Sequence, residues 1–154
     1  MRVTTRTRYA IRALYDLAFH RQGQAAQAKE IAERQQIPLR FLEQILQDLR
    51  RAGMIEARRG PRGGYALARP PAEISLADVL RAVRGPLEDL LGVESGPASP
   101  DAPAARADVP ALVWGEVGSR LIDVLEQATL ADFVARAEAS GERRAAQPPT
   151  MYFI

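Results

Sequence analysis

The glycine-rich, basic segment at residues 58–64 (Arg-Arg-Gly-Pro-Arg-Gly-Gly) constrains the fold more than any other part of the chain. A short apolar run lies on each side of it, at residues 54–57 and 65–68. Short apolar runs that flank a turn rich in glycine and proline are typical of a β-hairpin. We therefore predict a two-stranded hairpin whose tip carries several arginines.

Three helical patterns precede the hairpin. Apolar residues recur with helical spacing over about residues 5–20 and 28–35. The pattern breaks at Ile37-Pro38, because a residue before proline avoids the helical region, and then resumes in a third helix. The third helix ends near Gly53, and its apolar stripe consists of Leu42, Ile45, Leu46 and Leu49. Two short helices joined by a tight turn and followed by a hairpin are the element order of a winged helix-turn-helix.

More helices follow the hairpin. Ser75 and Asp78 resemble a capping pair that opens one helix, and Thr129 resembles the cap of another that stops near Gly141. Between them a long helix is predicted over about residues 109–128, with an apolar stripe of Val113, Val117, Leu121, Val124 and Leu125. The stripe alone fits either an interface between two chains or a core within one chain.

These patterns predict a mainly α fold with a small β-hairpin wing. The expected organisation is a winged helix-turn-helix at residues 1–84, a flexible loop at 85–108, dimerisation helices at 109–141 and a C-terminal tail at 142–154. The tail is predicted to be unstructured from Glu142 onward.

Charge is unevenly distributed along the chain. Residues 1–65 hold 13 basic residues against 6 acidic ones, whereas residues 66–154 hold 8 against 13. All basic residues except Lys29 are arginines, which suit bidentate contacts to phosphates and guanines. A basic half joined to an acidic half indicates a module that binds a polyanion beside a module with another task.

Composition excludes several classes of function. The chain has no cysteine and one histidine, His20, so disulfides, thiolate nucleophiles and cysteine-ligated metal sites are ruled out. Neither a phosphate-binding loop nor a catalytic set of residues is visible, and we predict no enzyme, no cofactor and no metal. No apolar run is long enough to span a membrane, and the first residues lack a secretory signal, so we expect a cytoplasmic protein without a membrane partner.

Three motifs are recognisable: residues 1–10 with Met-Arg-Val-Thr and Arg-Tyr-Ala, residues 41–50 with Phe-Leu-Glu-Gln-Ile-Leu, and residues 59–65 with Arg-Gly-Pro-Arg-Gly-Gly-Tyr. Together they resemble the Rrf2 family of winged-helix regulators. That family includes the iron–sulfur regulator IscR, the nitric oxide sensor NsrR and the cysteine-metabolism repressor CymR. The resemblance covers roughly residues 1–91 and 110–135.

The resemblance implies a homodimer that binds palindromic double-stranded DNA. The long helix would cross its partner, the third helix would enter the major groove, and the wing would contact the minor groove or the backbone. Gln and Arg can bind base edges bidentately, although for any single residue a solvated helix face is the alternative. The expected contact residues are Arg2, Arg8, Arg40, Phe41, Glu43, Gln44, Gln47, Arg50 and Arg51, and on the wing Arg58, Arg59, Gly60, Pro61, Arg62 and Gly63.

One family feature is missing. Cluster-binding members carry cysteines in the loop before the long helix, and residues 92–108 contain none. A regulator without a cluster, similar in this respect to CymR, needs another input.

The tail supplies a candidate input. Met151, Tyr152, Phe153 and Ile154 resemble the tails of serine acetyltransferases, which insert into cysteine synthase, and a terminal Ile carboxylate suits a site for an amino acid. We therefore predict a repressor of cysteine and sulfur metabolism that binds cysteine synthase. The alternatives are a regulator that senses a small molecule near residues 92–108, a tail that packs on its own dimer, and an interaction module that binds an enzyme through its tail.

Overall fold

The computed structural model describes residues 3–91 and 109–146. Its element order confirms the predicted mainly α fold with one β-hairpin. The helices are α1 (Thr5–Asp16, continued by a π-helical turn at Leu17–Arg21), α2 (Ala28–Gln35), α3 (Leu39–Arg51), α4 (Leu76–Arg84), α5 (Leu87–Leu91), α6 (Val109–Gln127) and α7 (Leu130–Ala139). The antiparallel strands are β1 (Ile55–Arg58) and β2 (Gly64–Leu67), and a 3-10 turn at Pro71–Glu73 leads into α4.

Helix α1 is the centre of the core. It begins where the Thr4 side chain accepts a hydrogen bond from the Thr7 amide at 3.2 Å. Its face formed by Ala10, Ala13 and Leu14 is fully buried and packs against α2, α3 and α4. The other N-terminal helices are therefore arranged around a single apolar helix face.

Helix α3 buries the whole of its predicted stripe. Leu42, Ile45, Leu46 and Leu49 are each 0% exposed. Full burial of a large aliphatic side chain stabilises a fold by about 1.5–3 kcal/mol. Burial of this stripe fixes the rotation of α3 about its axis, so that the opposite, polar face points outward.

The first part of the predicted loop at residues 85–108 is helical. Residues Leu87–Leu91 form the short helix α5, and both of its end residues are buried. Leu87 joins Ala77 and Leu80 in a small apolar cluster against which α6 packs. This contact between distant segments, which local periodicity does not show, makes α5 part of the fold. Residues 92–108 lie outside the described residues.

The start of the tail also differs from the prediction. Residues 142–146, called the strap below, return to α1 instead of leaving the fold. The Tyr15 hydroxyl donates to the Glu142 carboxylate at 2.7 Å, and the Ala145 amide donates to His20 Nδ1 at 2.9 Å. The Arg144 guanidinium lies 5.0 Å above the Phe19 ring. The strap is held because α1 offers it hydrogen-bond partners and an aromatic surface, which the strap's own sequence does not indicate.

Candidate nucleic-acid interface

The turn between α2 and α3 sets the angle between these two helices. Gln36 adopts a left-handed conformation with φ 52°, and the amide of the buried Ile37 donates to the Ala32 carbonyl at 2.9 Å. Pro38 then opens α3, as predicted. This tight turn gives the two helices a helix-turn-helix arrangement.

The outward face of α3 is polar and basic. All seven predicted residues on this helix are exposed: Arg40, Phe41, Glu43, Gln44, Gln47, Arg50 and Arg51. Helical spacing places Arg40, Gln44, Gln47 and Arg51 in one row opposite the buried stripe. Glu43 lies on the flank of that row.

A large apolar side chain near the start of α3 is also exposed, beside this row. The side chain of Phe41 is 58% exposed on the flank opposite Glu43. Single exposed apolar side chains are ordinary on protein surfaces, so Phe41 adds an apolar contact to this row but does not by itself indicate a partner.

An ion-pair cluster that sequence reasoning missed ties α3 to the beginning of α1. Asp48 pairs with Arg6 of α1 and, at 3.5 Å, with Arg51 on its own helix. Asp48 therefore restrains one arginine of the exposed row. Sequence spacing predicts the Asp48–Arg51 pair, since the residues are three apart, but not the contact with Arg6.

A second network fixes α2 on α1. Asp16 is fully buried and accepts hydrogen bonds from Arg34 Nε at 2.9 Å, Arg34 Nη2 at 2.7 Å and Gln35 Nε2 at 3.0 Å. The hydrogen bond to Asp16 raises the pKa of Arg34. Because removal of one partner would leave a buried charge uncompensated, this pair holds α2 firmly in place.

The tip of the hairpin closes through glycine. The Gly63 amide donates to the Gly60 carbonyl at 2.8 Å, and Gly60 has φ 104°. A Cβ atom on Gly63 would lie 2.4 Å from the Arg58 carbonyl oxygen, a distance that backbone cannot accommodate. Gly63 was predicted as a DNA contact, but the close approach that its missing side chain permits is to its own chain.

The three wing arginines are not equivalent. Arg58 Nε donates to Glu56 at 2.9 Å and Arg58 Nη1 donates to the Gly23 carbonyl at 3.0 Å. Arg59 and Arg62 are exposed, and within the described residues neither forms an ion pair. Two arginines are thus available to an external anion, while the third is engaged with its own chain.

The base of the wing is fixed to the segment before α2. Ala26 and Tyr65 exchange two backbone hydrogen bonds of 2.8 Å, so that Ala26 extends the hairpin. At Gly64 (φ 142°) a Cβ atom would lie 2.2 Å from the Ala26 carbonyl oxygen. Sequence analysis assigned no role to Gly64, although a second glycine directly after Gly63 was the available signal.

Helix α6 presents two different faces. Four residues of its predicted stripe, Val113, Val117, Leu121 and Val124, are between 42 and 62% exposed. Leu125 was predicted with them, but it is half-buried and packs against the Ala77–Leu80–Leu87 cluster of its own chain. Leu125 follows Leu121 by one helical turn and lies at the edge of the row nearest Ile122, which packs against the same cluster.

The remaining predicted residues divide between observed and undescribed positions. Arg8 is exposed on α1, and Pro61 is exposed at the wing tip. Arg2 and the segment Met151–Ile154 lie outside the residues that the structure describes. Across the two described ranges no helix has the length and apolar character needed to cross a membrane.

A helix-turn-helix with an exposed polar second helix, followed by a basic hairpin fixed beside it, defines the winged-helix class of DNA-binding transcriptional regulators. Comparison with known families gives the particular member of that class. The chain belongs to the Rrf2 family, whose model, described as iron-dependent transcriptional regulator, matches residues 3–136. The members of this family are transcriptional regulators, which confirms the prediction that the chain is not an enzyme.

Individual relatives agree with this assignment. The HTH-type transcriptional regulator IscR of Vibrio vulnificus is 32% identical over 138 residues, which cover 90% of this chain and 80% of the relative. A solved structure of T. potens IscR is 32% identical, with a TM-score of 0.70, and the match covers 99% of this chain and 97% of that one. The structure of CymR, the global cysteine regulator of B. subtilis, is 28% identical, with a TM-score of 0.67 and coverage of 88% and 98%.

The iron dependence in the family's description does not fit the residues of this chain. The sequence contains no cysteine, and among the described residues no three His, Asp or Glu side chains form a group that could hold a metal ion. The single histidine uses Nδ1 to accept the Ala145 amide. Thiolates are the usual ligands of iron–sulfur clusters, so this donor set does not suit one.

Proposed function

We propose that the chain is a homodimeric repressor that binds a palindromic operator and is controlled through its C-terminal segment by cysteine synthase. The observation that carries the DNA-binding part is the exposed row Arg40–Gln44–Gln47–Arg51, which is held outward by a fully buried stripe. Occupancy of an operator by such a dimer blocks transcription from it.

The row on α3 supports recognition in the major groove. Gln44 and Gln47 can bind adenine bidentately, Arg40 can bind guanine, and Glu43 on the flank can accept a hydrogen bond from a cytosine amino group. Arg50 and Arg51 near the end of α3, together with Arg8 on α1 and the undescribed Arg2, supply positive charge for phosphates. Phe41 can contact a thymine methyl group.

The wing supports contacts that carry little base specificity. Arg59 and Arg62 are free to bind phosphates or a narrow minor groove, since neither is neutralised within the described part of the chain. Gly60, Pro61 and Gly63 shape the turn that presents them. Arg58, whose charge is shared with Glu56, contributes less.

The exposed face of α6 supports the homodimer. Val113, Val117, Leu121 and Val124 form a row that no described residue covers, and Trp114 beside it is 59% exposed. Rows of aliphatic residues at this spacing pack well against an identical helix. A two-fold dimer then gives a palindromic operator, because each protomer binds one half-site.

The C-terminal segment supports the link to sulfur metabolism. Met151, Tyr152, Phe153 and Ile154 are four large apolar residues that follow the strap. Residues 147–154 can span up to about 28 Å when extended, so a partner can hold them without displacing the strap. The similar structure of CymR, named as a cysteine regulator, agrees with this assignment.

The DNA-binding part is tested on an operator that the full-length protein selects from random DNA. Gln44→Ala should weaken binding to that operator by about 1–3 kcal/mol and relax base preference at one position of each half-site. Gln24→Ala, the same neutral change at an exposed position before α2, serves as the matched control and should leave both unchanged. If Gln44→Ala altered neither affinity nor preference, α3 would not be the helix that contacts bases.

The partner is tested by calorimetry of the full-length protein against cysteine synthase of the same organism. The two proteins should bind, and deletion of Met151–Ile154 should abolish the heat of binding without changing affinity for the selected operator. If the deleted variant bound equally well, Met151–Ile154 would not be the segment that contacts the enzyme. If the intact protein did not bind, cysteine synthase would not be its partner.

A further inference from the structure

A cleft of about 390 Å³ lies between α1 and α7 and is bordered at one end by the strap. Its floor is formed by Ile11, Phe133 and Ala137. Ile11 and Phe133 are only half-buried, although both are large and apolar. A cleft of this volume with an apolar floor has the properties of small-molecule sites in proteins.

The rim of the cleft is charged. Arg12 and Arg136 approach it from opposite helices, and Glu142 of the strap lies at the same rim. Arg12 makes no ion pair with any residue in the described ranges, and Arg136 interacts with Asp132, one turn before it. Two exposed guanidinium groups beside an apolar floor are complementary to a molecule with an apolar body and one negative charge.

Glu142 has a second contact that connects the cleft to the strap. Its carboxylate accepts the Tyr15 hydroxyl at 2.7 Å, and Tyr15 also lines the cleft. An anion bound between the two arginines brings like charge towards Glu142 and weakens its hold on Tyr15. The strap is therefore the part of the fold that responds to an occupant of the cleft.

We infer that this cleft binds a small amphipathic monocarboxylate, whose apolar body rests on Ile11 and Phe133 and whose carboxylate lies between Arg12 and Arg136. The inference does not depend on the cysteine synthase partner or on the operator. It differs from a site near residues 92–108, because the cleft involves only α1, α7 and the strap.

The occupant that competes with a small molecule is a second copy of the chain. Helix α6 also exposes Glu116 and Asp123 beside its aliphatic row, so charge alone does not exclude a second copy. The volume of about 390 Å³ lies in the range of small-molecule sites, and Arg12 has no anionic partner in the described ranges, which together favour the carboxylate.

Phenylacetate is a suitable probe, with 2-phenylacetamide as its neutral counterpart and acetate as the anion without an apolar body. Calorimetry on the full-length protein should give a dissociation constant for phenylacetate below about 1 mM. The amide should bind at least about tenfold more weakly, and acetate should show no saturable binding. Equal binding of phenylacetate and the amide, or no binding of phenylacetate, overturns the inference.

Two variants should move the affinity in opposite directions. Arg136→Ala should weaken phenylacetate binding about tenfold, and Arg136→Lys should restore part of it. Glu142→Gln removes a negative charge but keeps an acceptor for Tyr15, so it should strengthen binding several-fold. Lys29→Ala, which removes an exposed cation on α2, is the control and should change nothing.

Correctly folded variants with unchanged affinity would show that the arginines do not hold the ligand, and the inference would fail. Binding that occurs only in a monomeric variant, or that dissociates the dimer, would assign the cleft to the second copy and would equally overturn it.

Discussion

Helices α3 and α6 are both amphipathic, but they leave opposite chemistry exposed. Helix α3 buries four aliphatic residues completely and presents polar and basic ones. Helix α6 has a single buried residue, Gly118, and packs on its own chain through Ile122 and Leu125, while a row of valines and Leu121 stays exposed. A polar outward face suits the grooves of DNA, whereas an aliphatic one suits another apolar surface. The exposed faces of the two helices therefore suit different partners, DNA for α3 and an apolar protein surface for α6.

The largest expected effect tests whether the exposed aliphatic row on α6 is a dimer interface. Val117→Glu places a carboxylate in the middle of the exposed row, and burying that charge twice across a two-fold interface should cost more than about 3 kcal/mol, over a hundredfold in the dimer dissociation constant. Light scattering should then give the 16.9 kDa monomer. Ser119→Glu, a new carboxylate on another side of the same helix, should stay dimeric. A dimeric Val117→Glu variant would show that the row is not the interface.

The next effect concerns how the wing is fixed beside α3. Gly64→Ala forces a Cβ atom against the Ala26 carbonyl and should destabilise the fold by about 1–3 kcal/mol while displacing the wing. Gly53→Ala, at φ 70° with open space around it, is the matched control, because it carries backbone strain without the clash. The thermal unfolding temperature and the affinity for the operator should both fall further for Gly64→Ala than for Gly53→Ala. Equal losses would mean that the contact with Ala26 does not position the wing.

Local patterns predicted much of this architecture. The buried stripe of α3, the hairpin and the capping pairs at Ser75 and Thr129 depend on residues close in sequence, where side-chain spacing and turn chemistry are decisive.

The features that sequence analysis missed all depend on distant partners. Arg6 meets Asp48, Gly64 meets the carbonyl of Ala26, and Tyr15 meets Glu142 across 127 residues. No periodicity in one segment shows which other segment will cover it. The packing of Leu125 on its own chain is a further case, since only the position of the Leu87 cluster shows which side of α6 faces its own chain.

A smaller effect separates the arginines of the wing. Arg59→Ala or Arg62→Ala should weaken operator binding by about 1 kcal/mol and lower the salt-dependence slope by about 1, because each removes one phosphate contact. Arg58→Ala should do less, since Arg58 is paired with Glu56 and bonded to the Gly23 carbonyl. Anisotropy titrations at several salt concentrations measure both quantities. Equal slopes for all three variants would remove the distinction between free and engaged arginines.

The smallest effect lies in the strap and depends on pH. Burial lowers the pKa of His20 below its usual 6.5, with Asp16 and Glu142 opposing this and Arg34 and Arg21 adding to it. Neutral His20 accepts the Ala145 amide, so this contact should be fully formed above pH 6.5 and should be lost as pH falls from 6.5 through the lowered pKa. The protection factor of the Ala145 amide, which is its exchange rate relative to the intrinsic rate at the same pH, should therefore fall on acidification. His20→Phe, which cannot accept this bond, should show low protection at every pH, and a pH-independent protection factor in the wild type would refute the contact.

The central claim is that α3 and α6 together make a dimer that binds two equivalent half-sites. Selection of bound sequences from random DNA by the full-length protein, followed by mass measurement of the complex, tests it directly. The account predicts a palindrome with half-site centres about 10 base pairs or a multiple apart, bound by two protomers. A single asymmetric element bound by one protomer, or no enrichment of any sequence, would contradict it.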